Sequence, residues 1–148
     1  LSLIFKASST IDSMIGYQHG RLKWLGTAGA KLDDVLTWIP CRIVLLTLPL
    51  VSQPIQKIPI LIRLAWKDGS KDSSPNAGIS EAIFAHCAKV KMGGSNKYKQ
   101  TLIMKPILAR DASEASADSI KRILRISLRL EFAWLATIAI FAFSLAIR

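Results

Sequence analysis

The chain has 148 residues, 51% of them hydrophobic, with a mean hydropathy of +0.33 and a formal net charge of +10. An apolar yet strongly basic chain argues against an ordinary soluble domain and for a membrane protein whose cationic loops face anionic lipid or an anionic substrate. Nucleic acid is set aside as a partner, because the basic residues sit beside apolar segments and no recognition motif accompanies them.

The opening run Leu1-Ser2-Leu3-Ile4-Phe5-Lys6 has neither a basic leader nor a small-residue cleavage site, so it does not read as a signal peptide. It reads as the tail of an element that begins elsewhere, and a fragment of a longer protein is the expectation. Residues 7–20 are mostly small or polar. Thr10, Asp12, Ser13, Gly16 and Tyr17 make poor core and reasonable site material, although a capped turn explains them as well.

From Arg21 to Ile39 the apolar residues Leu22, Leu25, Ala28, Leu32, Val35, Leu36 and Ile39 recur at helical spacing. Gly26, Ala28, Gly29 and Ala30 keep one side small enough for close helix packing in a membrane. Asp33 and Asp34 fall beside the apolar stripe. Paired carboxylates there are costly unless they are used or neutralised; a solvated helix face, or an ion pair to Lys31, is the plainer alternative. Residues 35–65 are apolar but interrupted by Pro40, Pro49, Pro54 and Pro59, with Arg42 and Lys57 adding charge. The spacing predicts a broken span or a re-entrant pair of short helices.

Residues 66–129 form the polar region. Thirteen of the twenty basic residues lie between Arg63 and Arg129, which makes this the segment for anionic ligands. Within it Ser74-Pro75-Asn76-Ala77-Gly78 is dense in turn formers, and Glu81 to Val90 reads as a short helix. Such a turn either aims backbone N–H groups at an anion or is an ordinary loop with Ser80 as helix cap. Met92-Gly93-Gly94-Ser95-Asn96 reads as a tight turn among Lys89, Lys91, Lys97, Lys99 and Lys105. Asp111 to Arg129 reads as a basic amphipathic helix capped by Ser113 or Ser116. Residues 130–148 are long and apolar enough for a transmembrane helix, and Lys121, Arg122, Arg125 and Arg129 place residues 66–129 on the cytoplasmic side.

Cys41 and Cys87 form no paired motif and lie far in sequence from His19 and His86, so no zinc site is expected and both read as buried free thiols. No nucleophile elbow, phosphate-binding loop, dinucleotide fingerprint or paired-His zinc motif is present in the sequence. The residues alone therefore give a mainly α, polytopic helical membrane protein with broken or re-entrant helices and a cytoplasmic glycine-rich loop region.

Four stretches taken together add to this reading. They are Ser9–Tyr17, Ala30–Val35 through Trp38–Arg42, Ser74–Gly78 with Glu81-Ala82, and Met92-Gly93-Gly94 with Tyr98. Their order and spacing resemble the cobinamide-phosphate (adenosylcobinamide-phosphate) synthase family of cobalamin biosynthesis. Ile79-Ser80, where the family pattern has an aromatic residue and proline, and Gln100, in place of a glycine, depart from it. The resemblance implies that residues 1–148 are the C-terminal portion of one membrane domain whose N-terminal half is missing. It implies a multi-pass protein of the cell membrane, with the lipid bilayer as a partner. It also implies ATP-dependent amide formation, joining aminopropanol or its phosphate to a propionate carboxylate of cobyric acid. The corrinoid is then substrate, and ATP with Mg²⁺ the expected cofactors. A non-catalytic membrane protein, either a truncated inactive fragment or a regulator related to the family, is the alternative.

On the matched positions, Asp12, Asp33, Asp34 and Glu81 are candidate catalytic groups. Asp33 and Asp34 are also candidate Mg²⁺ ligands. Ser13, Tyr17, Arg42, Ser74, Asn76, Gly78, Gly93 and Gly94 are candidate substrate or phosphate binders.

Overall fold

The computed structural model describes residues 23–98 and 101–147. The chain divides into two compact units, Leu1–Arg42 and Ile43–Arg148. Four α-helices and one hairpin occupy the described residues: α1 (Lys23–Ser52), a 3-10 turn (Ile55–Lys57), α2 (Ile58–Gly69), α3 (Pro75–Ala88), β1 (Met92–Tyr98), β2 (Thr101–Leu108) and α4 (Ala117–Ala146). The mainly helical expectation holds.

α1 runs unbroken through Pro40 and Pro49, where an interruption was expected. Each proline deletes one backbone bond to the carbonyl four residues back, while the turns on either side keep theirs. The break comes only at Gln53-Pro54. Pro54 is extended (φ −60°, ψ 144°) and leads through the 3-10 turn into α2, which carries Pro59 in its first turn, where the missing N–H has no helical partner to lose.

The connection from α2 to α3 is short and tied by backbone bonds: Ser70 N–H donates to Trp66 O (3.0 Å) and Asp72 N–H to Gly69 O (3.1 Å). α3 then begins at Pro75, six residues before the expected start at Glu81, so Ser80 is inside the helix and not its cap. A residue preceding proline is driven out of the helical region, which leaves Ser74 extended (φ −111°, ψ 97°) as the N-cap position with Pro75 as the first helical residue. The helix ends in a Schellman turn. Lys89 adopts the left-handed conformation (φ 53°), its N–H donates to His86 O (3.3 Å), and Val90 N–H donates to Ala85 O (3.0 Å).

Residues 92–108, expected as a tight turn and a basic loop, are an antiparallel hairpin, β1 with β2. The register shifts by one between Met92↔Leu108 and Gly94↔Lys105, so Pro106 and Ile107 of β2 lie opposite Gly93 of β1, a bulge in β2. Gly93 and Gly94 have φ of +86° and +82°, and a Cβ on Gly93 would collide with the Pro106 carbonyl oxygen.

The amphipathic and apolar stretches expected as separate helices over 111–129 and 130–148 are one helix, α4. Ser116 caps it: its hydroxyl accepts from Ser119 N–H (3.2 Å), and the Ser119 hydroxyl accepts from Ser116 N–H (2.6 Å). No breaker separates Arg129 from Phe132, so the helix continues into the apolar run.

The core of the second unit gathers Leu45 and Leu48 of α1, Ala65 of α2, Ile79, Ala82, Ile83 and Cys87 of α3, Val90, Leu108, and Ile126 and Leu130 of α4. Two polar bonds tie its edges: Trp134 Nε1–H donates to Thr47 Oγ1 (3.3 Å), and Gln53 Nε2–H donates to Cys87 O (2.9 Å). Among the described residues two helices are long and apolar enough to cross a membrane, at Lys31–Ser52 and Ala117–Ala146.

Candidate functional site

Asp12, Ser13 and Tyr17 lie outside the described residues. Among the others, Asp33, Asp34 and Arg42 belong to the first unit and the remaining candidates to the second.

In the first unit Asp33 and Asp34 are successive residues of α1, both half-buried. Neighbouring positions on a helix diverge by ~100°, so the two carboxylates leave the axis in different directions. Thr37 Oγ1–H donates to Asp33 O at 2.7 Å, tightening the turn that carries the pair. One turn on, the Arg42 guanidinium sits over the Trp38 ring, 4.8 Å from its centroid, and Nη1–H reaches Trp38 O at 3.5 Å. That stacking pre-orients a planar cation suited to carboxylate or phosphate.

In the second unit the Ser74–Gly78 motif is the N-terminal turn of α3. Asp72 Oδ1 accepts from Ser74 N–H (3.1 Å) and from the Ser73 hydroxyl (3.2 Å), so a carboxylate of the chain itself already sits beside the helix start. Asn76 is buried in the first turn. Gly78 is helical, and its N–H donates to Ser74 O at 2.9 Å. Its missing side chain serves packing. A Cβ on Gly69 would lie 2.5 Å from the Gly78 carbonyl, and a Cβ on Gly78 would collide with the Gly69 oxygen. α2 and α3 thus touch backbone to backbone, and the expected exposed turn at Gly78 is a buried helix crossing.

Glu81 follows on α3 and pairs with Lys105 of β2 (3.4 Å), both partly exposed. Across this pair the hairpin and the helix present one carboxylate and one ammonium to solvent. Gly93 lies opposite the β2 bulge of the same hairpin and Gly94 follows it, so their positive φ serves strand geometry.

The sequence reading missed an Asp–His junction. His86, in the last turn of α3, bonds through Nε2 to Asp68 Oδ2 of α2 at 3.0 Å, and the same oxygen accepts from Ala109 N–H at 3.3 Å. Ala109 has φ +49°, a left-handed conformation that is costly for alanine. Lys71 Nζ is 3.9 Å from the other carboxylate oxygen. One carboxylate therefore ties α2, α3 and the exit of β2. Asp68 and His86 are eighteen positions apart, and no local spacing signal links them.

Cys87 is buried in the core, and that burial pushes its thiol pKa up, partly offset by a hydrogen bond with Ser52. Cys41 is only half-buried, against the expectation for it. Among the described residues no cluster of three or more His, Cys, Asp or Glu side chains could hold a metal. The Asp33–Asp34 pair remains compatible with Mg²⁺, an ion that is commonly held by one or two carboxylates with water and substrate phosphates completing the shell.

Comparison with known proteins defines the class. The family model described as CobD/Cbib protein matches residues 1–127, and the chain belongs to that family. Among individual relatives, the cobalamin biosynthesis protein CobD of Synechocystis is 37% identical over 134 residues, covering 90% of this chain and 38% of its own length. CobD of Streptococcus sanguinis is 35% identical over 122 residues, 82% of this chain and 39% of its own. The cobalamin biosynthesis protein CbiB of Salmonella typhimurium is 31% identical over 100% of this chain and 45% of its own length. The chain thus spans less than half the length of the curated relatives it matches. No solved structure matches it.

Proposed function

We propose that this chain contributes to cobalamin biosynthesis as part of a membrane-embedded, ATP-dependent ligase. In this reading the enzyme joins aminopropanol or its phosphate to a propionate carboxylate of cobyric acid. The observation that carries this is the family match over residues 1–127, supported by relatives whose names place them in cobalamin biosynthesis. α1 and α4 act as membrane spans, and the basic residues at the start of α4 orient the segment between them toward the cytoplasm.

Amide formation from a carboxylate and an amine requires that the carboxylate oxygen become a leaving group and that the amine lose a proton. ATP with Mg²⁺ supplies the first requirement when bound. In the first unit Asp33 and Asp34 would hold the ion, and Arg42, fixed on Trp38, would hold a phosphate or the substrate carboxylate. The second unit, taken by itself, offers Glu81, paired with Lys105 at 3.4 Å, as a candidate base for an amine proton. Ser74 and Asn76 at the start of α3 would orient the amine or its phosphate, and Gly93-Gly94 would keep the hairpin close to it.

The test is rescue of a strain unable to make cobinamide from cobyric acid. The chain is supplied alone and together with the N-terminal half of a family member. Growth in at least one arm is expected. Asp34→Asn in the rescuing form should lower turnover at least ~100-fold, as loss of a charged group acting at the reacting centre does. Failure of both arms, with the protein present in the membrane fraction, removes the ligase reading.

A further inference from the structure

We propose that the outward face of α2 is a docking surface for the headgroup layer of an anionic membrane, so that α2 lies in the plane of the interface while α1 and α4 cross it. This rests on the reading of α1 and α4 as spans.

Chain geometry comes first. The apolar window of α1 ends at Ser52 and α2 starts at Ile58. Five intervening residues reach at most ~18 Å, so α2 stays near the level at which α1 leaves the bilayer.

Side-chain chemistry comes second. The inner stripe of α2, Ala65 and Gly69, is buried against α3. The rest of its surface and the turn before it expose Ile55 (77%), Ile60 (57%), Trp66 (48%) and Leu64 (36%), large apolar groups that water does not favour. Interleaved with them are Lys57, Arg63 and Lys67, all exposed. None of these three cations is in a salt bridge among the described residues. Elsewhere in the second unit Lys91, Lys105 and Lys121 have carboxylate partners. Unneutralised cations flanked by an indole and branched aliphatics match a lipid interface, where the charges meet phosphates and the apolar groups reach the acyl boundary.

Third, Pro59, Ile62, Arg63, Trp66 and Lys67 line an open groove of about 510 Å³. Two cations around an apolar floor suit a phosphodiester joined to glycerol and acyl chains. A soluble anion would use the cations and leave the aliphatic neighbours unsatisfied.

The experiment reconstitutes the whole chain in nanodiscs of phosphatidylcholine, with or without one part in three of phosphatidylglycerol, doped with a lipid brominated near the headgroup. Quenching due to Trp66 is the difference between the wild type and Trp66→Phe; that due to Trp134 is the difference from Trp134→Phe. Trp66 quenching is expected to be about fivefold or more larger with phosphatidylglycerol. The triple variant Lys57→Glu, Arg63→Glu, Lys67→Glu should abolish that gain and leave Trp134 quenching and the circular dichroism spectrum unchanged. Lys57→Arg, Arg63→Lys, Lys67→Arg should retain it. Quenching of Trp134 without Trp66 overturns the docking surface while the spanning reading stands; quenching of neither overturns both. If inorganic phosphate at matched ionic strength removes the Trp66 signal, the groove binds soluble anions and the proposal fails.

Discussion

α3 and α4 are both apolar helices of the second unit, yet they bury their surface in opposite ways. α3 has fourteen residues, eight of them buried, from Asn76 to Ala88 and on more than one face. α4 has thirty residues, of which only Ser119, Ile126 and Leu130 are buried. α3 satisfies its apolar groups within the protein. α4 leaves Phe132, Leu135, Ile138, Phe141 and Phe143 exposed along and around its C-terminal half, a surface that demands an apolar environment outside the chain. Similar hydropathy therefore carries two meanings, and substitutions on the two helices should separate them.

The largest effect is expected at the α2–α3 crossing. Gly78→Ala sets a methyl into the Gly69 carbonyl, a backbone atom that cannot rotate away. The helices must move apart, opening the core at Ile79 and Ala82. A loss of about 3 kcal/mol or more is expected, at the upper end of overpacking effects, read as a lowered denaturant midpoint of the reconstituted protein. A change within experimental error would mean that the crossing is loose.

Ile138→Arg tests the other side of the comparison. Ile138 is 65% exposed, so the substitution should leave the packing of the second unit intact. An arginine at the centre of a spanning helix costs about 3 kcal/mol of insertion free energy. Because α1 still anchors the chain, the expected outcome is that a label at the C-terminal end of α4 no longer reaches the far side of the membrane, with the near-ultraviolet dichroism preserved. An unchanged side for that label would remove α4 from the bilayer.

These two sites also mark how much the sequence could convey. The length and composition of α4 were legible because a run without charges is a one-dimensional feature. Its continuity with the basic segment was not, because the change from charged to apolar residues resembles a boundary although no Gly or Pro stands there. At α3 the positions Ser74 to Gly78 were recognised, but Pro75 was read as a turn former when it is also a first-turn residue of a helix. Gly78 counts among the turn formers in the sequence. Its use depends on Gly69, a contact that no local pattern displays. The hairpin escaped notice because Gly93, Gly94 and the lysines around them lack the alternation that marks a strand. Asp12 and the Asp33–Asp34 pair stand out by their setting in the sequence, and Glu81 only through family resemblance; the pairing of Glu81 with Lys105 and of Asp68 with His86 needs the fold.

Asp68 holds α3 from its C-terminal end as Gly69 does from its N-terminal one. Asp68→Asn removes the charge that faces His86 while keeping the size of the side chain. Its amide can still accept from Ala109 N–H, but the bond to His86 becomes a neutral one. A loss of about 1–3 kcal/mol is expected, because both partners are largely buried and the bond is to a charged group. Asp68→Asn combined with His86→Ala should then cost less than the sum of the single changes. Additive losses would show that the two side chains do not interact.

The smallest effect has the opposite sign. Lys89 closes α3 in the left-handed conformation at φ 53°, and its Schellman bonds to His86 and Ala85 fix it there. A Cβ in that region crowds the following carbonyl by about 1–2 kcal/mol, and glycine relieves it. The gain is reduced by the extra freedom that glycine has in the unfolded chain. Lys89→Gly should therefore stabilise the protein by about 1 kcal/mol or less. The same exchange at Lys91, which is tied to Glu114 and to the Ser113 carbonyl, should not stabilise. If Lys89→Gly destabilised instead, the exposed lysine side chain would have to hold a contact that its neighbours do not provide, and α3 would end through that contact and not through the turn.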